Sequence, residues 1–453
     1  MKKLIALLLA VVMVMGLAAC GSKTTTETKA PTEAKVDTPA TEAKTDAPAA
    51  AGSVYYLNFK PEFDQALQGL AASYTEKTGV PVKVVTAASG DYSNTLNAQM
   101  GKDGAPTVYN IGNMSGLKDW DEYALDLTGT ALAGELATND FNLYNEAGEL
   151  KAMGYCYESF GIIVNTKLLA DAGHSLDEIK DFASLKAVAD DIHARAAELG
   201  FDAFSSAGLD GSSSWRFSGH LANMPLYYEF RDDGVTEQPA EIKGTYLDNF
   251  RNIWDLYITD SAADPTALST ATGDQSEAEF GEGKAVFYQN GTWEYAALTA
   301  DKFNLNPDEI AMIPIYCGVD GEEKAGLCSG TENCWAINSQ AKEEDIQASL
   351  DFLYWLVTDP DASAVLVEQL GAVPFKSCPA SANKFIVDGN DLLAKGNYAV
   401  TWAFNYTPNV DSWRATVVTA LAAYSADPTD ANWEAVKTAF VDGWAIEYKT
   451  VNG

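Results

Sequence analysis

The sequence predicts a mixed α/β protein of two domains behind a short leader, and three observations carry that prediction. Strand-like and helix-like segments alternate from residue 54 onward. About four hundred residues follow the leader, enough for two cores of ordinary domain size. The amphipathic helical stretches end at Gly or at Asp-Pro, as helices joined to strands by short turns do.

In chain order, the leader comes first. Lys2 and Lys3 precede an apolar run from Leu4 that closes with Leu17-Ala18-Ala19-Cys20. A run this short behind basic residues reads as a secretory signal rather than a spanning helix. The small residues before Cys20 resemble the bacterial lipoprotein signal. That resemblance implies a signal peptide over 1–19, cleavage before Cys20 and a lipid on its thiol. Several acyl chains hold a protein at a bilayer where one would not; an ordinary cleaved signal with an incidental Cys is the alternative. From Cys20 to residue 53 the chain is Thr, Ala, Pro, Glu and Lys with no aromatic residue and Val36 alone among branched aliphatics. It buries too little to offset ordering entropy, so it reads as a disordered tether.

The body opens as strand 54–59, helix 63–78 with Phe63, Ala66, Leu67, Leu70, Ala71 and Tyr74 at helical spacing, and strand 80–86. Helix 92–100 and strand 107–111 follow. This alternation predicts a parallel sheet with crossover helices. Ligands then sit beyond the carboxyl ends of the strands, which gathers Lys60, Glu62, Ser89, Gly90, Asn110 and Asn113 on one edge. Further on, strand 161–165 leads into helix 167–173, and helices are expected over 182–199, 246–259, 345–358, 361–370 and 432–448. Asp359-Pro360 stops one of these and Gly371 caps another.

Composition narrows the partners. A formal charge of −34 makes nucleic acid and anionic surfaces poor partners for the body, and solubility of an exported protein accounts for the acidity. After Cys20 come Cys156, Cys317, Cys328, Cys334 and Cys378, an odd number that argues against a disulfide framework. Cys317 and Cys328 flank an expected hairpin at Asp320-Gly321 and could pair; buried single thiols are the other state. His174, His193 and His220 are far apart and no CxxC occurs, so neither a metal nor a cofactor is expected.

Five strings, in order, are similar to the extracellular solute-binding proteins of ABC transporters, the carbohydrate-type family that contains maltose-binding protein. They are YTEKTGVPVKVV (74–85), GAPTVYNI (104–111), ESFGIIVNTKLLADAG (158–173), FGEGKAVFYQNGTWEYAAL (280–298) and FLYWLVTDPDASAVLVEQLGAVPFKS (352–377). The resemblance implies two α/β lobes, each a mainly parallel sheet flanked by helices, joined by a multi-crossing hinge that closes on ligand. One lobe takes 54–158 plus 329–372, the other 159–328 plus 373–453. It also implies a monomer outside the cell membrane, most readily of a Gram-positive cell, that hands its solute to permease subunits.

A pyranose asks for flat aromatic walls and a polar rim, because unpaired hydroxyls cost about 1–3 kcal/mol each on desolvation. Trp293 matches the family's sugar-stacking Trp, and Glu158 a carboxylate at the first crossing whose alternative is a hinge salt bridge. Trp413 aligns with a second stacking Trp, with Trp402 competing for that role. Tyr157, Trp215, Lys60, Glu62, Asn113 and Glu332 complete the expected ligand-binding set, while Trp254 and Trp355 sit at core spacing. Two departures limit the likeness to the maltose branch. Gly112-Asn113-Met114-Ser115 stands where that branch has charges, and 205–233 has no close counterpart and is expected to shape the pocket.

Catalysis is disfavoured: no GxSxG or GxxxxGK[ST] occurs, and no string marks an acid and carboxylate pair for glycoside hydrolysis. The expected function is capture of a carbohydrate, with an oligosaccharide foremost. A peptide, polyamine or glycerol-phosphate solute is the alternative, a cation being suited to Glu158 with Tyr157 and Trp293. A lipid-anchored glycosidase is the remoter one.

Overall fold

A computed structural model describes residues 52–88, 90–205 and 208–453. The signal, the expected lipid site at Cys20, most of the tether and Ser89 lie outside the described residues. The folded body has begun by Ser53, whose N–H and hydroxyl both donate to Asp345 Oδ1, at 2.7 and 3.1 Å.

The strands among the described residues are β1 Val54–Asn58, β2 Val82–Thr86, β3 Val108–Ile111, β4 Leu143–Tyr144, β5 Leu150–Gly154, β6 Glu158–Asn165, β7 Asp202–Phe204, β8 Ala285–Gly291, β9 Ile310–Ile313, β10 Ala325–Gly330, β11 Cys334–Ile337 and β12 Tyr398–Thr401. They form two sheets, one ordered β2-β1-β3-β11-β5-β4 and the other β12-β10-β6-β8-β7, with β9 also paired to β6. Most strands in each sheet point one way. The exceptions at the middle of each sheet have one cause: β11 and β6 receive the chain from the other lobe, so they run away from the junction and pair antiparallel with their neighbours.

Both sheets are covered on both faces, which the period of two makes visible. Tyr56 and Leu57 enter different cores, as do Ile162 and Ile163, and Phe287 and Tyr288. The helix Asp64–Thr78 lays Leu67, Leu70, Ala71 and Tyr74 on the first sheet and stops at Gly79, whose φ of 77° lets its N–H reach Thr75. In the helix Pro360–Leu370, Asp359 caps the N–H groups of Asp361 and Ala362 with Pro360 at the first turn. The expected helix over 182–199 is two, Phe182–Ala194 and Ala196–Leu199, parted at Arg195.

Among the described residues three passages join the lobes. After β5 the chain passes through Tyr155 to Tyr157 into β6, and after β10 it returns through Thr331 to Asn333 into β11. These two run side by side, tied by Tyr155 N–H to Asn333 carbonyl (3.0 Å) and Thr331 hydroxyl to Cys156 carbonyl (2.7 Å). Ser329 and Gly330 therefore lie in the second sheet, and Phe375 packs in the first core before Lys384–Ala394 joins the second lobe. Cys156, Cys317, Cys328, Cys334 and Cys378 are free thiols, the first four buried; Cys328 Sγ faces Met224 Sδ at 3.5 Å and is not bonded to Cys317. Among the described residues no helix is long and apolar enough to cross a membrane.

Candidate functional site

Strand ends of both sheets converge on the passages between the lobes, and the polar centre of the site forms there. Lys60 follows β1 in a turn fixed by Asn58, whose amide donates to the Lys60 carbonyl (2.7 Å) while its oxygen accepts from the Lys60 N–H (3.1 Å). The Lys60 ammonium lies 2.6 Å from Glu158 Oε1, 2.8 Å from Glu62 Oε1 and 5.9 Å from the Trp293 ring centre. Glu158, the first residue of β6, accepts from Asn333 Nδ2 with its other oxygen at 2.7 Å. Burial draws the Lys60 pKa down, yet the two carboxylates outweigh it and hold Lys60 well above its ordinary value. Burial raises Glu158, and Lys60 offsets that in part.

Trp293 stands two residues beyond β8. Asn290-Gly291 closes this strand: Asn290 pairs with Gly161 and Gly291 with Phe160. A Cβ on Gly291 would fall 2.1 Å from the Trp293 ring, so the glycine lets the indole fold back over the strand end. The ring centre of Trp215 is 5.9 Å away at 54°, and both indoles are only partly buried. Trp215 is held by its N–H donating to the Ser212 carbonyl at 2.9 Å. Glu294, next to Trp293, accepts from Asn290 at 2.9 Å; burial and then Glu277 push its carboxyl up to about 8.

Trp215 leads into a π-helical turn, Arg216–Leu221, ahead of the helix Ala222–Asp233. Pro225 in that helix has no N–H to offer the Leu221 carbonyl, and the wider turn sits where the α pattern loses that bond. This turn supplies two residues beyond the expected set. Arg216, 2 % exposed, donates to Ser213, the Gln289 carbonyl and Ser276, and braces the floor from behind. His220 lies beside both tryptophans, 5.1 Å from Trp215 and 5.5 Å from Trp293. The 205–233 segment thus shapes the site, outside residues 206 and 207, which are not described.

At the second passage Glu332 faces Arg414 at 3.6 Å. Burial raises Glu332, and Arg414 draws it back. The guanidinium lies 5.0 Å over Phe404, and its buried Nε has no hydrogen-bond partner among the described residues. Across the rim, the Ser93 hydroxyl donates to Asp411 Oδ2 at 3.0 Å and ties one lobe to the other.

Four expected residues lie elsewhere in role. Trp413 is fully buried, its N–H given to the Phe440 carbonyl at 2.9 Å and its ring set edge-on to Phe440 and Trp444, so no face is left for a solute. Trp402 is 7 % exposed, bonded to the Cys328 carbonyl at 3.0 Å and stacked on Phe160 and Phe404. Tyr157 neighbours Glu158 on extended backbone and so points the other way, stacking on Phe141 at 5.0 Å. Asn113 caps the helix Met114–Trp120 by accepting from Gly116 N–H at 2.9 Å. Lys60, Glu62, Glu158, Trp215 and Trp293 are brought together; Glu332 joins them through Arg414. Among the described residues no cluster of three His, Cys, Asp or Glu could hold a metal ion.

Partly open indole faces beside hydrogen-bonding groups of both signs suit a solute with a flat apolar surface and a polar edge. Solved structures with the same fold support the two-lobed reading. The solute-binding protein RafE in complex with raffinose superposes with a TM-score of 0.70 at 16% identity, covering 88% of this chain and 99% of that one. A sugar transporter protein of Bacillus licheniformis in complex with stachyose gives 0.66 at 15% identity over 87% and 100%. The GacH receptor of Streptomyces glaucescens, described with acarbose, gives 0.64 at 19% over 88% and 99%. No curated protein matches the sequence. The profile of the family described as bacterial extracellular solute-binding protein, a family of binding proteins and not of enzymes, matches residues 69–390. That is more than half of the sequence, and the chain belongs to this family of bacterial extracellular solute-binding proteins.

Proposed function

We propose that the chain is the carbohydrate receptor of an ABC transporter, held to the outer face of the cell membrane by a lipid on Cys20. It takes a sugar, an oligosaccharide foremost, between its lobes and presents it as a monomer to the permease. One observation carries this reading: the partly exposed Trp215–Trp293 pair stands beside the Lys60–Glu158–Asn333 network where the two lobes meet. Indole faces match the C–H faces of a pyranose, and the carboxylates and cations match its hydroxyl rim. The fold-mates named above with raffinose, stachyose and acarbose point the same way. A polyamine is the weaker reading, because Lys60 and Arg414 set two positive charges beside Glu62, Glu158 and Glu332.

The cores on both sheets lie within residues 52–453, so a chain begun at Ala49 keeps every contact described here. Thermal stabilisation of that protein by a panel of raffinose, stachyose, maltotriose, chitotriose and xylotriose tests the reading. Saturable stabilisation by at least one sugar, without product, is expected. A flat response across the panel, with stabilisation by spermidine or a peptide, overturns it. Trp293→Ala is expected to weaken the best sugar about tenfold while moving the unliganded melting temperature little, since the ring is not fully buried. Isothermal titration and a melt of the same sample read the two effects separately.

A further inference from the structure

The imidazole of His220 is fixed more completely than packing alone requires. Its ring lies flat on Phe160, with centroids 3.9 Å apart and planes within 8°, which sets the plane in which its nitrogens can point. Trp215 and Trp293 both lie against it, their ring centres 5.1 and 5.5 Å away. Gln289, on β8 and 1 % exposed, brings its amide nitrogen to within 3.1 Å of Nδ1, and Arg216 donates to the Gln289 main-chain carbonyl. An amide N–H at Nδ1 uses the lone pair there, so the neutral ring carries its proton on Nε2. Burial, with Arg414 and Arg216 close by, keeps the second proton off. Among the described residues Nδ1 carries the one side-chain hydrogen bond of His220, and Nε2 has no hydrogen-bond partner.

We infer that His220 is a specificity-determining residue: its Nε2–H is a preset, uncharged donor beside the Trp215–Trp293 pair, selecting solutes that place an acceptor oxygen there. The inference rests on the carbohydrate reading of this site. A neutral N–H that neither accepts nor charges favours a ring oxygen, a glycosidic oxygen or a hydroxyl lone pair equally well. It rejects a solute that sets a C–H against it, because the donor is then stripped of water and left unpaired.

The test uses the full chain and the panel sugar that stabilises it most. His220→Phe keeps a flat ring on Phe160 and removes the donor; His220→Gln places an amide nitrogen near the position of Nε2. About tenfold weaker binding is expected for His220→Phe by calorimetry, with His220→Gln returning to within about threefold of the parent. Nitrogen-15 spectra of labelled histidine should show Nε2 protonated and Nδ1 bare before sugar is added, and the Nε2 signal should move on binding. Equal affinity of His220→Phe and the parent, or a protonated Nδ1, overturns the assignment while leaving the carbohydrate reading intact. Absence of binding by every sugar to the parent chain overturns both.

Discussion

Replacing Lys60 by Met is expected to lower the free energy of unfolding by about 3–5 kcal/mol, among the largest losses a single substitution in this protein should cause. Lys60 is 4 % exposed and stands between Glu62 and Glu158 at 2.8 and 2.6 Å. Met fills similar volume, so packing is spared and the charge is what changes. Without the ammonium, Glu158 keeps Asn333 as a donor and loses its cation in a place already 5 % exposed. The carboxylate then takes up a proton more readily, since burial alone already raises its pKa. The sign of the pH effect follows. A carboxyl whose folded pKa exceeds its unfolded value destabilises the fold increasingly as pH rises through that interval. The loss in Lys60→Met should therefore be largest near neutral pH and shrink toward about pH 5. Urea titrations of parent and variant across that range read it directly. A loss that stays constant with pH would mean that Lys60 contributes through its aliphatic stem and not through its charge.

The same residues show how far the sequence could be read. Asp64–Thr78 and Tyr92–Met100 were legible because their apolar spacing and their Gly boundaries are local properties of the chain. The two-lobed plan and the placing of Glu158 and Trp293 followed from strings in a shared order, whereas Lys60, 98 positions before Glu158, followed from its place beyond the first strand. Rotational phase was not legible. On the helix Val410–Ala426 a step of one residue turns the side chain by about 100°, so Trp413 enters the core while Arg414 faces Glu332. Tyr157 failed for the analogous reason on extended chain, where one step reverses the side. Within 205–233, the segment expected to shape the pocket, nothing in the sequence singled out His220. Its role comes from a π-helical turn and from Gln289, 69 residues away, and no periodicity encodes that pair.

Glu294→Gln is expected to do the opposite of Lys60→Met and stabilise the unliganded protein at alkaline pH. Glu294 sits beside Trp293 with Glu277 near it, and its carboxyl holds its proton up to about 8 where an unfolded chain would release it near 4.5. Folded protein thus binds more proton than unfolded protein through that window, and stability falls as pH rises across it. The full shift would correspond to about 5 kcal/mol; partial contact with solvent reduces the expected gain to about 3 kcal/mol at about pH 9. Gln keeps the oxygen that accepts from Asn290 and removes the titration. Parent and variant should therefore melt together near pH 4.5 and diverge steadily above it, with the gap levelling beyond about pH 8. A gap of one size at every pH would place the effect in packing. Glu294 adjoins Trp293 in the site proposed for the sugar, so its protonation bears on binding there. At neutral pH it presents a hydroxyl donor as well as an acceptor, so sugar affinity should fall above about pH 8 in the parent and stay level in the variant.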